Sequence, residues 1–293
     1  MPTWRELARE GFRGALETRR RVKVPKFDPV CVYDAAEKLG VEVKFCSGDS
    51  FGGMYVKTSQ TILVPAMRPL GRQAFTCAHE LGHWYFRHGN RIEVFDDLEN
   101  SSNDDPEERL ANFFAAYFLM PPWAVTRAFE RRDYSPNTCT PVQFYAVACQ
   151  LGVGYSTLVH HLRWSLDVIS ASRAGELLDV SPKGIRCQVF GCSPAEHLVI
   201  ADTAWESVAV DLRVDDLAIL PREVGIEGTS VVVQGDHALG KLVKGCVPGI
   251  SRAEKQDGSW SCFVRVSRKN FEGRSIYRHL EDPDVNEDGT IGF

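Results

Sequence analysis

The sequence has no long hydrophobic run. Its longest apolar stretch, residues 113–125, is interrupted by Pro121 and Pro122. No window approaches the roughly 18 apolar residues that a membrane-spanning helix needs. The N-terminal segment is charged and amphipathic, and it has neither the apolar core nor the small-residue cleavage site of a signal peptide. We therefore expect a cytoplasmic protein with no membrane partner.

The chain also lacks paired cysteines and an excess of positive charge. None of its nine cysteines stands in the Cys-x-x-Cys spacing of a zinc ribbon or a redox site, so we expect reduced and mostly buried thiols. The net charge of −5 argues against a globally basic nucleic-acid-binding protein. Residues 93–108 contain eight acidic residues and no Lys or Arg. This block predicts a solvated mobile loop, and the same charge could attract a basic protein substrate.

The hydrophobic pattern predicts an α+β fold in two domains. A length of 293 residues favours about two domains, and the 44% hydrophobic content is enough for a core. Helical spacing dominates residues 1–182, with a small β-sheet formed by short strands between residues 41 and 64. Short β-like segments follow from residue 187 onward. We therefore expect a β-rich C-terminal domain of unknown role over residues 183–293.

The sequence His79-Glu80-Leu81-Gly82-His83 is the strongest chemical signal in the chain. Histidines at positions i and i+4 share one face of a helix, so both imidazoles can reach a single ion. Glu80 lies next to the first histidine, where a carboxylate can act as general base on a water molecule. The pattern predicts one Zn²⁺ per chain, with His79 and His83 as ligands and Glu80 as the catalytic residue.

A catalytic zinc site needs a third protein ligand, and the helix predicted over residues 107–120 offers two candidates. Glu107 and Glu108 both lie in its first turn, where the helix dipole also favours acidic residues. We favour Glu108, because Asn112 lies one turn later on the same face. The amide of Asn112 could hydrogen-bond to a ligand histidine.

Two runs of sequence resemble the ImmA/IrrE family of zinc metallopeptidases. They extend from Arg72 to His83 (RQAFTCAHELGH) and from Glu108 to Pro121 (ERLANFFAAYFLMP). The segments Asp28-Pro29, Leu39-Gly40-Val41 and Gly53-Met54-Tyr55 are also similar to that family. The likeness is strong over about residues 25–125 and weak over 126–180. It does not extend to the C-terminal region.

The resemblance implies a fold, an activity and a partner. The fold is an HExxH zincin-like, gluzincin-type metallopeptidase domain with a small β-sheet and a helical bundle. His79, His83 and Glu108 would be the zinc ligands and Glu80 the general acid and base. The activity would be that of a zinc metalloendopeptidase. Its protein substrate would be a helix-turn-helix transcriptional repressor in a stress, mobile-element or phage-defence response.

The sequence near the motif has three further features. The predicted strand over residues 51–57 could be an edge strand that pairs with an extended substrate, or one arm of a plain hairpin. Tyr55 on this strand is a candidate for contact with the oxyanion or the substrate, although packing is the favoured role. His88 lies five residues after His83, so we expect it off the ligand face, at the end of the helix.

The helices over about 140–170 resemble a helix-turn-helix unit with a Leu151-Gly152-Val153 turn. DNA reading would need basic residues on the second helix, and the sequence offers only Arg163 beside His160 and His161. We therefore favour a structural role over DNA binding for this unit. The alternative function for the whole chain is a catalytically silent module that binds DNA or protein on a peptidase scaffold.

Overall fold

The structure, a computed structural model, describes residues 2–48, 51–89, 92–94, 105–192 and 196–280 and has the mixed α+β character that the sequence predicts. Most of the acidic block of residues 93–108 therefore lies outside the described residues. No helix in the described part is long and apolar enough to span a bilayer. The helices are α1 (Trp4–Arg21), α2 (Val32–Lys38), α3 (Leu70–Phe86), α4 (Pro106–Leu119), α5 (Pro122–Glu130), α6 (Pro141–Gln150), α7 (Tyr155–His160), α8 (Ala171–Leu178) and α9 (Pro182–Phe190).

A sheet of five described strands supports the N-terminal helices. Its order is β13-β1-β3-β2-β4, with β1 (Glu42–Cys46), β2 (Phe51–Val56), β3 (Thr61–Pro65), β4 (Ile92–Val94) and β13 (Gly273–Arg274). β1 and β3 are parallel, and β2 runs antiparallel to β3 and to β4. Of the two alternatives for this strand, the edge strand is therefore wrong. Residues 92–94 form the strand that covers its edge.

The helices α1, α3 and α4 pack closely because small residues lie where they meet. A Cβ atom added to Gly11 of α1 would lie 2.5 Å from the Cβ atom of Phe113 on α4. A Cβ atom on Gly82 of α3 would lie 3.1 Å from the Cα atom of Ala111, which is also on α4. Such contacts fix α4 against the half of α3 that carries the histidine motif.

The C-terminal region forms two sheets and its own core in the described residues. The sheet orders are β5-β7-β10-β9 and β6-β12-β11-β8. Buried side chains such as Trp205, Val243 and Val264 lie in this core. The strands are β5 (Leu198–Ile200), β6 (Val210–Arg213), β7 (Leu217–Leu220), β8 (Val224–Glu227), β9 (Val231–His237), β10 (Gly240–Gly245), β11 (Gly249–Lys255) and β12 (Ser261–Ser267).

The prediction of short β-like segments from residue 187 onward is wrong for its first residues, because Pro182–Phe190 forms the helix α9. The side chain of Ser181 caps this helix by accepting a hydrogen bond from the Gly184 amide at 3.1 Å. Gly191 ends it with a φ of +70°. The strand β13 also returns to pair with β1 of the N-terminal sheet. The division into domains at residues 182 and 183 stays a prediction.

A buried ion pair joins the helical region to the C-terminal region. The guanidinium of Arg132 donates to both carboxylate oxygens of Asp202, at 2.7 Å each. It also donates to the carbonyl of Ala128 and to the side chain of Gln150. The Arg132 side chain is 2% exposed, so these acceptors replace the water that its guanidinium loses on folding.

We predict that Asp202→Ala lowers the free energy of unfolding by about 3 kcal/mol, because it leaves a buried guanidinium without its counter-ion. Urea unfolding followed by circular dichroism would measure the change. Glu10→Gln is the matched control, since Glu10 pairs with Arg13 in an exposed (i, i+3) ion pair. That control should lose less than about 0.5 kcal/mol. Equal losses in the two variants would contradict the prediction.

Candidate metal centre

The histidine motif lies in the buried, C-terminal half of α3. His79, Glu80 and His83 are each 3–4% exposed. The helix ends at Arg87, which takes a left-handed conformation with a φ of 59°. The one-turn spacing of His79 and His83 places both imidazoles on the face of α3 that meets α4, as the sequence predicts.

Glu108 reaches the two histidines from the first turn of α4. Asp105 caps this helix, since its side chain accepts a hydrogen bond from the amide of Glu107 at 2.9 Å. Pro106 at the first helical position also favours a helix start here. Within the described residues, Glu108 and not Glu107 joins His79 and His83 in a group whose ligand atoms lie within 4.8 Å of one another.

The distances between these donor atoms fit a tetrahedral ion. The Nε2 atoms of His79 and His83 are 3.0 Å apart, and the Glu108 carboxylate lies 3.2 Å from the first and 3.5 Å from the second. Ligand distances of about 2.0–2.1 Å at tetrahedral angles give donor separations of about 3.4 Å. The three residues could therefore hold a metal ion such as Zn²⁺ with room for a further ligand.

The second nitrogen of each imidazole has its own partner. His79 Nδ1 lies 3.0 Å from the side-chain oxygen of Asn112, and His83 Nδ1 lies 2.8 Å from Nδ1 of His88. The Asn112 oxygen can only accept, so His79 donates through Nδ1, and its Nε2 faces His83 and Glu108. Two imidazole nitrogens and a carboxylate this close together need a proton or a cation between them.

His88 is the residue of this site that the sequence reasoning missed. It is 8% exposed and contacts His83, although helical spacing places it off the ligand face. The reason is the left-handed turn at Arg87, which ends the helical periodicity and returns the chain toward His83. The amide of His88 donates to the carbonyl of His83 at 3.0 Å. A polar residue directly after a helix end is the only signal the sequence offers.

The electrostatics of Glu108 favour its ionised form. Burial would raise the pKa of this carboxyl group, but the hydrogen bonds from His79 and His83 outweigh burial and hold the pKa well below its usual range. The carboxylate is therefore charged at neutral pH, as a metal ligand must be.

Glu80 lies directly beneath strand β2. A Cβ atom added to Gly53 of β2 would lie 2.9 Å from Oε1 of Glu80 and 2.5 Å from Cγ2 of Thr76. Only glycine lets the strand pass this close to α3. The Glu80 carboxylate is thus confined between its own helix and the backbone of β2.

Tyr55 is 4% exposed and lines a cavity of about 520 Å³ together with His88. Its burial agrees with the packing role that the sequence favours. Desolvation raises the pKa of its hydroxyl. A contact of Tyr55 with the oxyanion or the substrate stays a prediction.

The helix-turn-helix-like unit consists of α6 and α7, and α7 continues into a π-helical turn at His161–Ser165. His161 is buried, and its Nε2 contacts the carbonyl of Met120 at 2.9 Å. Arg163, the basic residue of the second helix, pairs with Asp167 at 2.7 Å. These contacts agree with a structural role for the unit.

Comparison with known proteins bears on the middle of the N-terminal region. Residues 36–163 match the sequence model of the family described as the IrrE N-terminal-like domain (Peptidase_M78). The match confirms the resemblance to the ImmA/IrrE family over these residues. It indicates a zinc metallopeptidase-like domain.

Other comparisons add little. None of the curated proteins compared with the chain matches it. A solved structure described as a Mycobacterium tuberculosis transcriptional regulator is similar at 18% identity and a TM-score of 0.35. The similarity covers 55% of this chain and 52% of that one, so the chain spans about half the length of that relative.

We predict that His88→Ala weakens zinc binding by about 10- to 100-fold, because His83 loses the partner that orients its ring. Zinc content and competition with a chromogenic chelator would measure the affinity. Wild type should hold about one zinc per chain, and His83→Ala and Glu108→Ala should hold none.

His160→Ala is the matched control for this experiment, since His160 is an exposed histidine of α7. It should bind zinc like wild type. An unchanged affinity in His88→Ala would show that the contact between the two imidazoles does not position a ligand.

Proposed function

We propose that the chain is a zinc-dependent endopeptidase. The observation that supports this most directly is the convergence of His79, His83 and Glu108 beside the buried carboxylate of Glu80. Three protein ligands leave a coordination position open, which distinguishes catalytic from structural zinc sites. The peptidase family match over residues 36–163 supports the same reading.

Each residue has a defined task in the proposed reaction. His79, His83 and Glu108 would hold the zinc ion, and Asn112 and His88 would fix the orientation of the two imidazole rings. When bound, zinc supplies Lewis acidity toward a peptide carbonyl and makes a water molecule more acidic.

Glu80 would carry the proton through the reaction. It would take a proton from the attacking water and then deliver it to the amine of the leaving peptide, so that no net charge accumulates on the chain. Its confinement by Gly53 reduces the number of positions the carboxylate can take.

The proposed substrate is a helix-turn-helix transcriptional repressor, which rests on the resemblance to the ImmA/IrrE family. Charge supports a protein of this kind. The described end of the acidic block includes Asp105 and Glu107 at the start of α4, beside the proposed metal ligand Glu108. A DNA-binding repressor is basic, and opposite charges favour the encounter.

We predict that Glu80→Gln retains one zinc per chain and lowers the rate of peptide cleavage by about 10²- to 10⁴-fold, because an amide cannot take a proton from water. Intact-mass spectrometry of helix-turn-helix repressors incubated with the zinc-loaded protein would detect and locate the cut. A repressor cut equally well by Glu80→Gln would refute this mechanism. A wild type that binds no zinc would instead favour the silent binding module.

We also predict that Gly53→Ala lowers kcat/KM by about 10- to 100-fold with zinc content unchanged. The new methyl group would collide with Thr76 and displace the Glu80 carboxylate, and small displacements of a catalytic group are costly. Gly175→Ala is the matched control, since a Cβ atom there has no neighbour within 4 Å. It should leave kcat/KM unchanged. Full activity in Gly53→Ala would show that the close contact does not position Glu80.

A further inference from the structure

A cavity with a cationic rim lies beside the candidate metal centre. Its volume is about 520 Å³, and Arg21, Lys57 and Arg87 are the charged side chains that line it. These three residues are exposed, whereas His88 at the same cavity is buried. None of the described residues that line the cavity is acidic. The guanidinium groups of Arg21 and Arg87 therefore favour a negatively charged occupant.

Aromatic side chains provide the rest of the cavity wall. Tyr55 is buried, and Trp84 and Tyr85 are half-buried. The Arg21 guanidinium lies 5.7 Å from the centroid of the Trp84 ring, which holds part of the cationic rim over an aromatic face. The Tyr85 hydroxyl donates to Glu17 at 2.5 Å, so this ring has a fixed position. Such a wall can pack against the methylene groups of a bound side chain, while the cationic rim attracts a carboxylate at its end.

The position of the cavity relates it to the metal ligands. His88 lines the cavity and lies 2.8 Å from Nδ1 of His83, whose opposite nitrogen, Nε2, faces His79 and Glu108. One imidazole ring and one hydrogen bond therefore separate the metal position from the cavity wall. Two residues of an extended peptide span about 7 Å. A peptide bound at the metal centre could therefore place a side chain one or two residues from the cleaved bond into this cavity.

We propose that this cavity is a subsite for an acidic side chain of the substrate, Asp or Glu, close to the cleaved bond. The inference rests on the proposed endopeptidase function and specifies which sequences that site accepts. A basic repressor also contains acidic residues, so the subsite would select the bond within the protein, while overall charge selects the protein.

The test measures binding separately from cleavage. A displayed library of random dodecapeptides is selected on zinc-loaded Glu80→Gln protein, which should bind peptides without cutting them. The same selection is made on Glu80→Gln protein that also carries Arg21→Gln and Arg87→Gln. Both proteins contain the same acidic block of residues 93–108. Any competition between this block and acidic peptides is therefore equal in the two selections.

The control variant carries Glu80→Gln with Arg5→Gln. Arg5 is exposed on α1, sixteen residues before Arg21 and thus about 24 Å away along the helix. Thermal unfolding of all three proteins checks that the substitutions leave the fold intact. If the double substitution at Arg21 and Arg87 does not fold, Arg87→Gln alone replaces it.

We expect Asp and Glu to be enriched at one peptide position by about tenfold, the factor typical of one charge-assisted contact. The enrichment should disappear with Arg21→Gln and Arg87→Gln and persist with Arg5→Gln. Selection without acidic enrichment, enrichment that survives the double substitution, or no selected peptide at all would each overturn the subsite.

Cleavage of the selected peptides by wild type distinguishes this inference from the proposed function. Acid-selective binding without any cleavage would support the subsite and contradict the endopeptidase. Cleavage of peptides without an acidic preference would support the endopeptidase and contradict the subsite.

Discussion

The close approach of α3 and α4 is the constraint on which the candidate centre depends. Gly82 lies inside the histidine motif and faces Ala111, so the two helices can pack almost backbone to backbone. Only at this separation does Glu108 come within hydrogen-bonding distance of both imidazoles. The same helix pair is fixed from outside by α1 through Gly11 and Phe113. The geometry of the site is thus a property of the helix packing and not of a flexible loop.

This packing also determines the electrostatics of the site. Two imidazole nitrogens and a carboxylate meet where little water can reach them, and such a group is costly unless a cation or a proton balances it. Asn112 and His88 occupy the outer nitrogens, which leaves the inner nitrogens directed at one point.

The sequence predicts those parts of the site that follow from helical periodicity. His79 and His83 are one turn apart on one helix, and Glu108 and Asn112 are one turn apart on another. His88 could not be predicted in this way, because the left-handed residue Arg87 ends the periodicity just before it. The strand at residues 92–94 was missed for a related reason: three residues carry too little pattern to separate a short strand from a loop.

The C-terminal region shows the other limit of sequence reasoning. Helix α9 begins after the capping residue Ser181 and ends before Gly191, although the sequence pattern predicted short β-like segments from residue 187 onward. The return of β13 to the N-terminal sheet is a contact between distant parts of the chain. Local sequence carries no information about such a pairing. Only a packed structure brings Gly273 beside Phe45.

That pairing has a consequence for the order in which the protein is completed. During synthesis β1 leaves the ribosome long before β13, so the outer edge of the N-terminal sheet is unpaired until the C-terminal β-structure has been made. Arg274 then closes this edge through the strand pairing with Lys44 and an ion pair with Glu42 at 2.6 Å. The last described strand therefore finishes the sheet on which the histidine helix rests. A nascent chain completes this sheet only after residue 274 has been translated.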